Sequence, residues 1–171
     1  MSFLYPGEYI DSTYSIDFDK LYKEGYRGII FDIDNTLVTH GSPADERAIA
    51  LFKHLKELGF SCLVLSNNKE PRVKSFAKQV GIKYIYKAGK PKPSGYRTAM
   101  ERLGTDTKNT LFALFVGDQI FTDIIGANLT GIRSILVAPI DPHEEIQIVL
   151  KRFIEKPVIA CYKRHLKKVN K

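Results

Sequence analysis

No apolar run in the 171-residue chain approaches the ~20 residues a bilayer span requires, so a membrane-crossing helix is not expected. The opening segment Met1-Ser2-Phe3-Leu4-Tyr5-Pro6 lacks the charged stretch and apolar centre of a signal peptide, and none is predicted. The two cysteines, Cys62 and Cys161, lie far apart and lack metal-site spacing. They are expected to be free thiols in a reducing cytoplasm. His40, His54, His143 and His165 show no ligand spacing either; His40 stands out only because it closely follows an acidic segment. No GxGxxG follows a strand and no GxxxxGK[ST] occurs, so a nucleotide-cradling loop is not supported. Repeats and low-complexity tracts are also missing. What remains is one domain, long enough to bury roughly two-thirds of its unfolded surface.

The charge is unevenly placed. Residues 151–171 hold eight basic side chains against one acid, Glu155, which accounts for the whole formal net charge of +7. The body, residues 1–150, is balanced. This predicts an interaction tail rather than a general nucleic-acid binder.

The stretch that organises the chain is Gly28-Ile29-Ile30-Phe31-Asp32-Ile33-Asp34-Asn35-Thr36. Ile29, Ile30 and Phe31 read as a short buried strand. It ends in two carboxylates two residues apart, which in extended chain point to one face. Like charges that close need a cation, and hard oxygen ligands suit Mg²⁺. An Asp-rich turn would give the same letters.

The rest of the chain alternates. Residues 1–27 form an aromatic-rich arm, with a short helix from about Phe18 to Glu24 capped by Asp17. The arm is expected on the sheet edge. Ser42-Pro43-Ala44-Asp45 reads as a helix start with Ser42 as cap, followed by Ala48, Leu51, Phe52, Leu55 and Leu58 on one face. Ser61 to Leu65 is a second strand, closed by Ser66-Asn67-Asn68. A helix from Pro71, a strand from Tyr84 to Tyr86, a helix capped by Ser94, a strand from Thr110 to Val116 and a strand from Ser134 to Val137 follow. A last helix is predicted from Pro142 to about Lys156, with Ile146, Val149, Leu150 and Phe153 inward. This order predicts an α/β fold with a doubly wound parallel five-stranded sheet. The expected organisation is an arm at 1–27, a catalytic domain at 28–156 and a basic tail at 157–171.

Four strand ends carry polar groups: Asp32 with Asp34, Ser66, Lys90, and Asp118 with Asp123. Each has a dull reading alone: a cap, a solvated lysine, an ordinary turn. Together they would place carboxylates, a hydroxyl and an ammonium at one edge of one sheet.

In these residues the chain resembles the haloacid dehalogenase (HAD) superfamily of phosphohydrolases, over about residues 28 to 140. Asp32-Ile33-Asp34-Asn35-Thr36 matches the DxDxT motif, Ser66 the second motif, Lys90 of Lys90-Pro91-Lys92-Pro93 the third, and Gly117-Asp118 through Asp123 the fourth. Lys92 is the other candidate for the third motif; the KPxP pattern favours Lys90. The whole chain is also similar to the subclass IIIA, YqeG-type branch, which is similar to phosphatidylglycerophosphate phosphatases. The resemblance implies a HAD-like Rossmannoid fold and a Mg²⁺-dependent phosphatase. It implies Asp32 as nucleophile and Asp34 as acid and base. Ser66, Asn67 and Lys90 would bind phosphate. Asp32, Asp118 and Asp123 would hold the metal, joined by Asp34 through its main-chain carbonyl, and Thr36 would brace the loop.

HAD enzymes for small substrates often carry a cap domain between motifs. The intervals from Thr36 to Ser66 and from Ser66 to Lys90 are used up by one helix and strand each, so no cap is expected and the site should be open. From Pro157 onward, Val158, Ile159, Tyr162, Leu166 and Val169 recur at roughly helical spacing, with Lys163, Arg164, Lys167, Lys168 and Lys171 between them. That pattern predicts a basic amphipathic helix on an anionic membrane, with the arm's tyrosines adding an interfacial belt. The expectation is therefore a cytoplasmic enzyme, peripheral to the inner face of the membrane, that dephosphorylates phosphatidylglycerophosphate. A soluble sugar- or nucleotide-phosphate phosphatase, or an RNA- or ribosome-associated binding protein using the same charges, are the other readings.

Overall fold

The computed structural model describes residues 3–104, 113–141 and 146–169, and side chains throughout except at 146–153, 168 and 169. The strands are β1 (Glu8–Ile10), β2 (Gly28–Phe31), β3 (Ser61–Leu65), β4 (Lys83–Ile85), β5 (Ala113–Gly117) and β6 (Arg133–Val137). The helices are α1 (Phe18–Lys23), α2 (Glu46–Leu58), α3 (Glu70–Val80), α4 (Pro93–Leu103), α5 (Ile125–Leu129) and α6 (Ile146–Val169). A π-helical turn, Ile120–Ile124, leads into α5.

The sheet runs β1-β6-β5-β2-β3-β4 and every pairing is parallel. It has six strands, not five. The sixth is β1, from the N-terminal arm, which pairs with β6 from Glu8↔Ile135 to Ile10↔Val137. The arm thus sits on the sheet edge, but as a member of the sheet. Three residues show too short a pattern to be told from coil, and pairing with β6 decides their conformation.

Side-chain alternation along the strands divides the interior. Ile29 and Phe31 face α1, α2 and α3 together with Val64, Val116 and Phe76. Ile30 faces α4 and α5 with Leu63, Phe115 and Tyr96. A parallel sheet covered on both faces explains why these strands read as unbroken apolar runs.

Several local expectations shift. Asp45, not Ser42, caps α2, accepting from Ala48 N–H at 2.8 Å. The α4 helix starts at Pro93, behind Lys92 rather than Ser94. The last helix continues through Pro157 to Val169. Its start at Pro142 and the inward set Ile146, Val149, Leu150 and Phe153 lie outside the described side chains, as does the start of β5 at Thr110.

The tail helix is also less free than its pattern implies. Tyr162 is 5% exposed, and Val158 and Ile159 pack against Ile120, Ile124 and Leu136. Tyr5 rests 5.6 Å from the Tyr162 ring, and Lys163 sits over Tyr9. Tyr14 donates to Leu37 O, and Tyr22 and Tyr26 pack on the core. The arm's tyrosines are thus half-buried in contacts within the chain rather than arrayed as a belt.

Candidate active site

In the sheet order, β2 and β5 are neighbours although two strands, β3 and β4, lie between them in the chain. The chain runs outward from β2 through β3 to β4, then returns to β5 on the other side. Open α/β sheets bind ligands at such a switch, beyond the carboxyl ends of the strands. Asp32 directly follows β2, Ser66 follows β3, and Asp118 follows β5.

The segment after β2 turns at once. Asn35 has φ of 61°, a left-handed conformation that asparagine tolerates better than most residues, and its N–H donates to Val38 O at 2.7 Å. The turn is held from both sides. Thr13 donates to Thr36 O at 2.7 Å from the arm, and the Thr36 hydroxyl donates to Asp118 Oδ1 at 3.1 Å.

Oxygen atoms of Asp32, Asp118 and Asp123 lie within 4.8 Å of one another, and all three residues are buried. Lys90 Nζ sits 2.8 Å from Asp32 Oδ1 and 2.7 Å from Asp123 Oδ1. Burial alone would make the Lys90 ammonium easier to deprotonate. The carboxylates of Asp123 and Asp32 outweigh that and hold its pKa above the ordinary lysine value. The Asp32 carboxyl is raised to about 6, because burial and the Asp123 carboxylate push it up more than Lys90 pulls it down.

Asn67 clasps the Lys90 backbone in both directions. Its side-chain oxygen accepts from Lys90 N–H at 2.8 Å and its amide donates to Lys90 O at 3.1 Å. Lys92 is exposed at the position just before α4, so Lys90 is the lysine that reaches the carboxylates.

The Asp34 carboxylate turns elsewhere. It accepts from Gly41 N–H at 2.9 Å, from Arg72 at 2.8 Å and from the Asn68 amide. Asn68 and Arg72 were not singled out in the sequence. Both lie beyond the Ser66-Asn67 pair, at the start of α3, and nothing local marks them as partners of a residue more than thirty positions earlier.

These groups line a cleft of about 190 Å³ bounded by Asp32, Asp34, Asn35, His40, Ser66, Asn67, Asn68, Lys90, Gln119 and Thr122. The intervals between Thr36 and Ser66, and between Ser66 and Lys90, contain no inserted domain. Among the described residues, the three clustered carboxylates of Asp32, Asp118 and Asp123 gather around the single ammonium of Lys90, so acidic groups outnumber the cation there. That donor set fits a hard divalent cation.

A family model for haloacid dehalogenase-like hydrolases matches residues 41–131. Over 95% of its length the chain is 34% identical to probable phosphatase YqeG of Bacillus subtilis (strain 168), covering 93% of that protein. The chain belongs to the haloacid dehalogenase-like hydrolases. It is an HAD-type phosphatase. It is also 30% identical, over 97% of its length, to phosphatidylglycerophosphate phosphatase 1, chloroplastic/mitochondrial, of Arabidopsis thaliana, of which it spans 49%. Solved structures share the HAD fold. An uncharacterized protein from Listeria monocytogenes serotype 4b aligns with a TM-score of 0.53 at 22% identity, over 70% of this chain and 85% of that one. The cobalt-bound deoxy-D-mannose-octulosonate 8-phosphate phosphatase of Haemophilus influenzae aligns with a TM-score of 0.52 at 15% identity, over 69% of this chain and 70% of that one.

Proposed function

We propose that the protein is a Mg²⁺-dependent phosphomonoesterase that works through an aspartyl-phosphate on Asp32, with phosphatidylglycerophosphate as substrate. The observation that carries this reading is the meeting of Asp32, Asp118 and Asp123 around Lys90 in a cleft with no domain inserted between Thr36 and Lys90.

A carboxylate oxygen of Asp32 attacks phosphorus, and the ester P–O bond breaks. Asp34 gives its proton to the departing oxygen. Asp34 then takes a proton from water, whose oxygen attacks the acyl-phosphate, releasing inorganic phosphate and restoring Asp32. Arg72, Asn68 and the Gly41 N–H fix the Asp34 carboxyl during both transfers. Lys90, Ser66 and Asn67 hold the phosphoryl oxygens as charge develops. Asp32, Asp118, Asp123 and the Asp34 carbonyl would hold Mg²⁺, which would neutralise the charge of nucleophile and phosphate.

The open cleft suits a substrate whose bulk stays outside. The similarity to a phosphatidylglycerophosphate phosphatase supports a lipid phosphate. Exposed Lys163, Arg164 and Lys167 on α6 support attachment to an anionic surface, each worth on the order of 1 kcal/mol. No helix among the described residues is long and apolar enough to cross a membrane.

The test is phosphate release from phosphatidylglycerophosphate in mixed micelles, beside a panel of sugar phosphates and nucleotides, with and without Mg²⁺. Asp32→Asn should abolish it, and residual turnover above about 1% would sink the nucleophile assignment. Preference for a soluble substrate would overturn the lipid reading. Sedimentation with phosphatidylglycerol vesicles tests the surface. Arg164→Gln with Lys167→Gln is the right comparison, because a cut after Lys156 would also remove the docked Tyr162.

A further inference from the structure

Glu155 is the single acid among residues 151–171, and it is turned inward, with 2% of its surface exposed. Its Oε1 accepts from the backbone N–H of Ile120 at 2.7 Å and from that of Phe121 at 3.3 Å. Those two groups open the π-helical turn Ile120–Ile124. The first N–H groups of a helical turn have no partner inside it. The residue before this turn, Gln119, gives no side-chain cap. The acceptor arrives instead from α6, outside the segment 41–131 matched by the family.

The capped turn carries much of the site. Asp118 precedes it, Asp123 lies within it, and Gln119 and Thr122 line the cleft. It is gripped at its other end by Tyr96, whose hydroxyl donates to Thr122 O at 2.7 Å and lies 3.2 Å from Asp123 O. Tyr96 thus holds late carbonyls of the turn, and Glu155 holds its first amides. A carboxylate accepting two N–H bonds makes charge-assisted contacts, stronger than neutral ones.

We propose that Glu155 is a positioning residue that keeps the Asp118–Asp123 loop in the shape that gathers a divalent cation. This rests on the metal-dependent reading above. Glu155 touches no reacting atom; it acts through the backbone of the turn. Without it, the Ile120 and Phe121 amides lose their partner and the loop opens locally. Asp118 and Asp123 then no longer hold their oxygens together with Asp32.

The experiment titrates Mg²⁺ alone into the full chain by calorimetry and follows amide exchange at Ile120 and Phe121. Glu155→Ala should weaken Mg²⁺ by about tenfold or more, the size seen when an outer partner of a metal ligand is lost, and should speed exchange at both amides. Glu155→Gln keeps an acceptor oxygen and should recover most of the affinity. Tyr162→Leu loosens the same helix at its contacts with Tyr5 and Gly7 O and leaves the Glu155 cap in place, and should leave Mg²⁺ affinity near wild type. Binding by Glu155→Ala within about twofold of wild type would overturn the proposal. So would an equal loss in Tyr162→Leu at matched melting temperature, since the effect would then belong to helix docking. If Glu155→Ala does not fold, Glu155→Met decides, because it is similar in length but has no acceptor oxygen: unchanged exchange at Ile120 and Phe121 refutes the cap. A wild-type chain that binds no Mg²⁺ overturns both readings. One that binds Mg²⁺ but hydrolyses no phosphate ester overturns the function and leaves this inference to its own test.

Discussion

Replacing Gly117 by alanine should damage the site out of proportion to the single methyl added. A Cβ at Gly117 would lie 2.5 Å from Asp123 Oδ2, 2.6 Å from its Cγ and 2.7 Å from its Cβ. Carbon atoms pack at about 3.5–4.0 Å, so Asp123 must retreat by about 1 Å. Because the contact reaches Asp123 Cβ, swinging the carboxylate aside does not relieve it, and the backbone of the turn must move. That backbone is tied down. Asp123 pairs with Lys90 at 2.7 Å, accepts from Gln119 N–H at 3.1 Å, and lies within the turn held by Tyr96 and Glu155. Gly117 itself is outside the left-handed region, so the obstacle is the neighbour and not the alanine backbone. Overpacking of this kind costs about 1–3 kcal/mol. Near 2 kcal/mol, a chain of this size loses roughly 4–8 °C in Tm. A displacement of about 1 Å in a reacting group costs on the order of 100-fold in turnover. Thermal melts, Mg²⁺ calorimetry well below Tm, and hydrolysis of a chromogenic phosphate ester read the three effects separately. A Gly117→Ala protein that binds Mg²⁺ and turns over within about twofold of wild type would refute the rigid placement of Asp123 against β5.

Ca²⁺ should bind the carboxylate cluster yet support only a few per cent of the Mg²⁺ rate, because its longer, more numerous ligand bonds can take both oxygens of Asp32; equal rates would count against Asp32 as both ligand and nucleophile. Mg²⁺ affinity should fall as pH drops through about 6. The raised Asp32 pKa means that a proton competes for the same oxygen below that value and is already gone well above it. Calorimetric titrations flat from pH 5 to 8 would be inconsistent with Asp32 as a ligand. With a maleimide near neutral pH, exposed Cys161 should label quickly and Cys62 at least about tenfold more slowly, since burial pushes the Cys62 thiol up to about 12. Equal labelling by mass spectrometry would show that β3 opens readily.

Much of the site was legible because its residues follow buried strands closely. The run Ile29-Ile30-Phe31 announces β2, and the carboxylates after it have little freedom in where they fall. Glycines at 59, 81 and 104 adopt the left-handed conformation that ends α2, α3 and α4, so the helix stops were local signals as well. Helix starts were less secure. Ser42 and Asp45 are both good caps, and choosing between them depended on how the segment after Thr36 folded back to place Gly41 N–H on Asp34.

The sequence by itself determined the five central strands and the helices between them, and that the acids and the lysine would stand at one end of a parallel sheet. Periodicity, caps and glycine stops are properties of neighbouring residues and survive in the linear chain. Tertiary structure alone decided the rest. It made Glu8–Ile10 a sixth strand, because β6 offered an open edge. Lys90 was favoured over Lys92 by the sequence pattern; Asn67, 23 residues earlier, holds the Lys90 backbone from both sides and completes the choice. Arg72 and Asn68 were brought onto Asp34, and Glu155 onto Ile120, across intervals of 38, 34 and 35 residues. The tail helix was carried through Pro157 and its apolar side turned onto Ile120, Ile124 and Leu136. Each of these is a meeting of residues whose separation in sequence carries no periodic trace, so only the packed sheet and its helices could bring them together.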